Sequence, residues 1–340
     1  MRAMVLSREG LEMRSVTTPN PGPGEVLIRV ANCAICQSDV HWKRDHQATL
    51  GPEGHILGHE FAGEVVAIGS GVSNVSLGAR VTARPLASCG HCVACRRGLP
   101  RACPERSAVG LTRAGAFAEF VIAAAQVTYP IPGRVSFAAA ALAEPLACAY
   151  NAVITSNVRP GDWVVVIGPG PLGLLATRLL KLQGAKVIVA GTRDDRLVAA
   201  THIGADLVCN VRGADLGSLV KEQTDGLGAD VAIEMVGTNE ALAQAFAVTR
   251  LAGQVTLAGD PEPNARFTLA PARLFNREQR LIASLGASES IPRVLRLLDE
   301  KLVDPEALIT HRFPLENAPL AFETVLNRQN HCLKALIECP

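Results

Sequence analysis

No charge of either sign dominates this chain of 340 residues. Thirty-three Lys and Arg face 32 Asp and Glu, for a net charge of +1, so no surface-wide field draws in nucleic acid or an anionic membrane. Long apolar runs are missing too. The alanine-rich stretch that starts at Ala138 stops at Glu144-Pro145, far short of the roughly 20 residues that span a bilayer. The opening residues Met1-Arg2-Ala3-Met4-Val5 lack the apolar core of a signal peptide, and the expectation is a cytoplasmic protein. No repeat of solenoid type appears. With 48% hydrophobic and 19% charged residues, the composition is neither disordered nor low-complexity. The length suits two domains that each bury a core.

Cysteine, by contrast, is plentiful. There are ten, and four of them (Cys89, Cys92, Cys95 and Cys103) crowd into one short loop. In a chain of this size with no export signal, reduced thiols at that density point to metal rather than disulfides.

The first stretch reads as short strands and glycine-rich turns, with strands at 26–30 and 61–68 and the last near 121–122. The texture changes after Arg159-Pro160-Gly161-Asp162. Residues 163–167, Trp-Val-Val-Val-Ile, form a continuous apolar run, as expected of a strand covered on both faces in a parallel sheet. Helix at 172–182, strand at 186–190, helix at 197–203, an extended piece at 206–209, helix at 216–223, strand at 230–234, helix at 240–249 and strand at 254–258 then alternate. That alternation predicts a doubly wound α/β sheet. A helix at 291–298 and a strand at 333–338 follow, and this tail is expected to rejoin the first domain.

Gly168-Pro169-Gly170-Pro171-Leu172-Gly173 is G-x-G-x-x-G placed directly after a buried strand and opening a helix. The glycines permit the tight turn and let a pyrophosphate approach backbone N–H groups at the helix N-terminus. An ordinary glycine-rich turn is the plainer reading. An NAD site usually places an acid at the end of the next strand for the ribose 2′-hydroxyl. Here that end reads Ala190-Gly191-Thr192-Arg193-Asp194-Asp195-Arg196. Gly191 stands where the acid is expected, and Arg193 is suited to a 2′-phosphate. The reading therefore leans to NADP over NAD, although Arg193 as a solvated loop charge and Asp194 on the ribose remain open.

Cys89, Cys92, Cys95 and Cys103 can close a tetrahedral site, and a filled shell makes a zinc structural. An iron–sulfur cluster is the rival reading. The third group is Cys36-Gln37-Ser38-Asp39-Val40-His41 with Gly58-His59-Glu60, which supplies the Cys, His and carboxylate types of a catalytic zinc with one open position. Glu144 lies in the apolar stretch Ala143-Glu144-Pro145-Leu146-Ala147. A carboxylate there needs a cation or a hydrogen-bond donor, or serves a helix start near Pro145.

Together these residues resemble the zinc-containing medium-chain dehydrogenase/reductase (alcohol dehydrogenase) family, and most of all its sorbitol, or polyol, dehydrogenase branch. The resemblance runs over essentially the whole chain. It includes Gly58-His59-Glu60 with Gly63 and Gly69, the four-cysteine loop, residues 144–147, the glycine turn and Glu234-x-x-Gly237. The resemblance implies a discontinuous, β-rich GroES-like catalytic domain around a Rossmann domain, with expected boundaries at 1–148 plus 288–340 and at 149–287. It further implies that Cys36, His59 and Glu60 hold the catalytic zinc, with Glu144 as a ligand directly or through water. Ser38 would take the alcohol's proton and His41 would pass it on.

The cofactors so implied are two zinc ions per chain and NADP or NAD. The substrate would be a secondary alcohol, in first place a polyol or sugar alcohol, with threonine or a simple alcohol as the sibling reading. A non-catalytic nucleotide-binding protein is the rival from another class. Trp42, Phe117 and Arg113 are candidates for the pocket wall, and a homotetramer or homodimer is implied. Two departures from the branch stand out: Gln37 where Gly is common, and Gly191 in place of the acid.

Overall fold

The computed structural model describes residues 1–287, 289–327 and 329–339. Residue 288, where the sequence reading placed the start of the returning segment, and residue 340, its end, lie outside them. The chain divides into two compact units, one of residues 1–144 and 291–340, the other of residues 145–290.

In the first unit a seven-stranded sheet runs in the order Thr128–Pro130, Arg80–Ala83, Glu60–Ile68, Glu25–Ala34, Lys334–Glu338, Ile309–Pro314, and Phe120–Ala124 also pairs with Glu25–Ala34. The pairs are antiparallel except the last, Ile309–Pro314 with Lys334–Glu338. A three-stranded sheet of Leu11–Ser15, Arg2–Leu6 and His55–Ile56 accompanies it. Val26, Ile28 and Val30 alternate along the long strand with their side chains fully buried, in a core that includes Met4, Phe61, Phe117 and Phe322.

Register then decides what meets what. Ala34 pairs with Glu60 on one side and with Leu336 on the other, and the Ile35 N–H donates to the Ala335 carbonyl at 3.0 Å. Three distant pieces of sequence, around residues 35, 60 and 334, therefore end at one place. Immediately beyond it lies the helix Gln37–His46, which the sequence reading did not anticipate. Its ten residues are mostly polar and it buries only Asp39 and Val40, so no apolar periodicity announces it.

The second unit is a six-stranded, all-parallel sheet in the order Leu207–Asn210, Lys186–Gly191, Trp163–Ile167, Ala229–Glu234, Thr249–Leu257, Arg280–Ala283. Strand order reverses between Trp163–Ile167 and Ala229–Glu234, the switch point at which doubly wound sheets bind ligands. Val164, Val165 and Val166 are completely buried, each contributing about 1.5–3 kcal/mol of burial, and this is why the strand reads as an unbroken apolar run. The edge strand Arg280–Ala283 and the helix Pro271–Arg277 before it were not read from the sequence; that helix buries no residue and the strand is largely exposed. Among the described residues no helix is long and apolar enough to cross a membrane.

Candidate functional site

Cys36, His59 and Glu60 bring one ligand atom each to within 4.8 Å of one another. The backbone arranges them. Cys36 sits in extended conformation just ahead of the helix Gln37–His46, and its N–H donates to Asp39 Oδ2 at 2.9 Å. The other Asp39 oxygen accepts from the Gly58 N–H at 3.2 Å and lies 3.3 Å from His59 Nδ1. One completely buried carboxylate thus ties the Cys36 turn to the Gly58-His59 turn. Burial is the largest influence and opposes charge on the His59 ring, but the Asp39 carboxylate and the Cys36 sulfur together outweigh it and hold the pKa well above the ordinary range. A carboxylate behind an imidazole is the usual device for fixing a ligand's tautomer and strengthening its basicity. On the opposite ring nitrogen, Ser38 Oγ stands 3.3 Å from Nε2. His41 follows three residues after Ser38 on the same helix, hence on the same face.

Glu60 has a partner that the sequence reading missed. Lys334 Nζ donates to Oε1 at 2.7 Å and lies 2.5 Å from Oε2, with Glu60 1% and Lys334 5% exposed. Burial works against the ammonium, while the Glu60 carboxylate more than compensates and raises the lysine pKa. Glu144 lies buried in the first turn of the helix Ala143–Thr155, outside the 4.8 Å group of Cys36, His59 and Glu60. A half-buried thiol converging with a buried imidazole and carboxylate matches zinc's ligand preferences.

The four-cysteine loop is a second donor set. Cys92 and Cys95 sulfurs are 3.5 Å apart, Cys103 and Cys89 3.6 Å, Cys89 and Cys95 3.9 Å. Four sulfurs placed tetrahedrally about 2.3 Å from one ion would stand about 3.8 Å apart, so the spacing fits zinc. Backbone N–H groups of Cys89, Cys92 and Cys95 donate to the sulfurs of Cys103, Cys89 and Cys92 at 3.4–3.5 Å. The Ser88 hydroxyl, with further help from Cys92, brings Cys95 down to about 7, while burial and the neighbouring cysteines push Cys92 up to about 11. His91 is exposed and its Nδ1 lies 2.9 Å from the Cys89 carbonyl.

At the glycine turn, Gly168 adopts φ of +107°, Gly170 caps the helix Pro171–Leu182, and Pro171 starts it. A Cβ on Gly173 would lie 2.0 Å from the Gly168 carbonyl oxygen, so only glycine lets helix and strand close up. Leu172 opens that helix beside Pro171, its backbone among the unpaired N–H groups of the first turn. Gly191 carries a second constraint. A Cβ there would meet the Pro169 ring at 2.5 Å, so an acid at this position has no room while residue 169 is proline. Thr192 is exposed in the next turn, and Arg193 caps the helix Asp194–Ile203.

Of the proposed pocket walls, Phe117 is wholly buried beneath Gly58 and Arg113 is paired with Glu25 at 2.6 Å. Trp42 stacks between His46 and His55. Asp39 and Lys334 were overlooked although both left a trace. Asp39 has capping spacing from Cys36, and Lys334 is a lone charge opening the apolar run Ala335-Leu336-Ile337.

Comparison with known proteins gives the family. The family profile of the alcohol dehydrogenase GroES-like domain matches residues 22–133 and that of the zinc-binding dehydrogenases residues 171–300. The sorbitol dehydrogenase of Halalkalibacterium halodurans is 34% identical over 99% of both chains. Two solved structures align with TM-scores of 0.92. One is a protein of Sinorhizobium meliloti 1021 bound to NADP, 29% identical over 99% of this chain and 98% of its own. The other is a short chain alcohol dehydrogenase of Escherichia coli CFT073 complexed with NADH, 30% identical over 99% of each. Fold and site define a zinc- and nicotinamide-dependent oxidoreductase with GroES-like and Rossmann parts. The chain belongs to the zinc-containing medium-chain dehydrogenase/reductase family, near its sorbitol and polyol dehydrogenase branch.

Proposed function

We propose that this chain oxidises a polyol or sugar alcohol at a secondary carbon, with one catalytic and one structural zinc per chain and with NADP preferred over NAD. The observation that carries the reading is the convergence of half-buried Cys36 with buried His59 and Glu60, with Ser38 Oγ against the His59 ring. When bound, zinc polarises the alcohol oxygen and lowers its pKa, and the nicotinamide takes up the hydride.

The protein's own groups do the rest. Cys36 and His59 hold the metal, and Glu60 and Glu144 are its carboxylate partners, directly or through water. Asp39 fixes the His59 ring, and Lys334 balances the Glu60 charge. Ser38 accepts the proton that leaves the alcohol, and His41 hands it on towards water. The Cys89, Cys92, Cys95 and Cys103 set holds the structural zinc. Gly168, Gly170, Pro171, Leu172 and Gly173 cradle the pyrophosphate, while Thr192 and Arg193 face the adenosine ribose. Crowding at Gly191 by Pro169 supports NADP, because the position that normally supplies a carboxylate has no space for one. The catalytic domain is assigned to residues 1–148 and 288–340 and the Rossmann domain to 149–287, in a homotetramer or homodimer.

The test is a set of initial rates on polyols, sugars, threonine and simple alcohols with each cofactor in zinc-loaded protein. Turnover of a polyol with NADP ahead of NAD is the expected result. Threonine turned over faster than every polyol would move the substrate assignment, and failure of all alcohols with both cofactors would remove it.

A further inference from the structure

Beyond the glycine turn the chain places four charges in succession, Arg193, Asp194, Asp195 and Arg196, and the structure shows how they are spent. Arg193 is gripped by its neighbour two residues on, with Nε at 3.1 Å from Asp195 Oδ1 and an Nη2 at 2.6 Å from Oδ2. Both side chains of this pair are about three-quarters buried, at 23% and 25% exposure. Asp194 accepts from the Asn210 amide at 2.6 Å. Arg196 extends back to the turn, its Nη1 3.8 Å from where a Cβ on Gly170 would lie. Gly191 itself admits no side chain. Asp194 and Asp195 are thus both engaged by neighbouring side chains, and Arg193 is already held by a carboxylate.

We infer that Asp195 sets the discrimination between the two nicotinamide cofactors, by holding Arg193 and opposing the charge of a 2′-phosphate. This rests on the assignment of residues 168–173 and 193 to the adenosine half of the cofactor. A guanidinium offers five N–H donors, and the Asp195 contacts use Nε and one Nη2 donor, so a 2′-phosphate can share Arg193 without expelling the carboxylate. Sharing has a charge consequence. Two arginines and two aspartates cancel, so the segment meets the dianionic 2′-phosphate with no net attraction. Neutralising Asp195 leaves an excess of one positive charge there and loosens the two-point grip on Arg193, releasing donors in the fork geometry that phosphate prefers. A cofactor without the phosphate gains nothing from either change.

The experiment is an equilibrium titration of the full-length, zinc-loaded protein with NADPH and, separately, NADH, followed by nicotinamide fluorescence without substrate. Wild type is compared with Asp195→Asn, and with Asp195→Ser as a second variant, each checked for an unchanged melting temperature. The inference predicts NADPH bound roughly three- to tenfold more tightly by both variants, NADH within twofold of wild type, and a gain that shrinks in high salt. Weaker NADH with unchanged NADPH would overturn it, since Asp195 would then be the ribose ligand. Equal change in both cofactors, or none, would overturn it as well. Failure of the underlying cofactor reading looks different. Wild type preferring NADH would end the NADP assignment while the Asp195 shift still stood, whereas wild type preferring NADPH with inert variants would end only this inference.

Discussion

Lys334→Met gives the sharpest energetic test of the site, because it removes one half of an ion pair that water barely reaches. With Glu60 at 1% and Lys334 at 5% exposure, solvent screening offers little relief. Truncating one member of such a pair strands a buried charge and typically costs about 3–5 kcal/mol. Replacing both members with apolar groups of similar volume is often close to neutral, so Glu60→Met with Lys334→Met should recover most of the loss. The assay is urea unfolding of zinc-stripped protein, since a bound cation would compensate Glu60 and mask the effect. The chain has two tryptophans, and in a Trp163→Phe background the remaining Trp42 reports on the first unit alone.

The pH dependence follows from the direction of the lysine shift. The Lys334 pKa is raised, so its contribution is complete below the ordinary lysine value of about 10.4 and disappears only as pH climbs through the higher folded value. The deficit of Lys334→Met should therefore be the same at pH 7 and pH 9. A deficit under about 1 kcal/mol, or a double variant no better than the single, would refute the view that Lys334 is what holds the Glu60 carboxylate in place.

Three further outcomes are expected. Ser38→Ala should lower turnover while both zinc ions stay bound, as metal analysis alongside initial rates will show; unchanged turnover would remove Ser38 from the proton path. Asp39→Asn should weaken zinc about 10- to 100-fold at the Cys36–His59 site, measured by competition with a chelator, and leave the four-cysteine loop untouched; equal loss at both sites would contradict its assignment to the His59 ring. Gly191→Asp should bind neither NADH nor NADPH as well as wild type, because the new Cβ meets the Pro169 ring at 2.5 Å. Adding Pro169→Ala should then restore NADH binding, and a single variant that gains NADH affinity outright would show that the crowding is illusory.

How much of this was legible in the sequence depended on whether the signal was local. The strand Trp163–Ile167 announced itself because burial on both faces demands apolar residues at every position, and the glycine turn because close packing forbids a Cβ. The four cysteines lie within one loop and needed no fold to be brought together. Cys36 and His59 were visible as ligand types, but their meeting depends on Ala34 pairing with Glu60. Lys334 was beyond reach for the same reason, being 274 residues from Glu60 in sequence. The helix Gln37–His46 hid because its function is to aim polar groups rather than to bury an apolar stripe. Crowding of Gly191 by Pro169 was invisible because it is a contact between the glycine turn and the end of the neighbouring strand, whereas the missing acid was plain. Phe117 and Arg113 were named for residue type alone, and only the packing shows one in the core and the other paired with Glu25.

Zinc per chain, counted in wild type, Cys36→Ala and Cys103→Ser, addresses the central claim most directly when paired with the rate on a polyol. Two ions are expected in wild type and one in each variant. Cys36→Ala should retain its melting temperature and lose turnover, while Cys103→Ser should lose stability first. Cys36→Ala protein that still holds two ions, or still turns over substrate at the wild-type rate, would contradict the account.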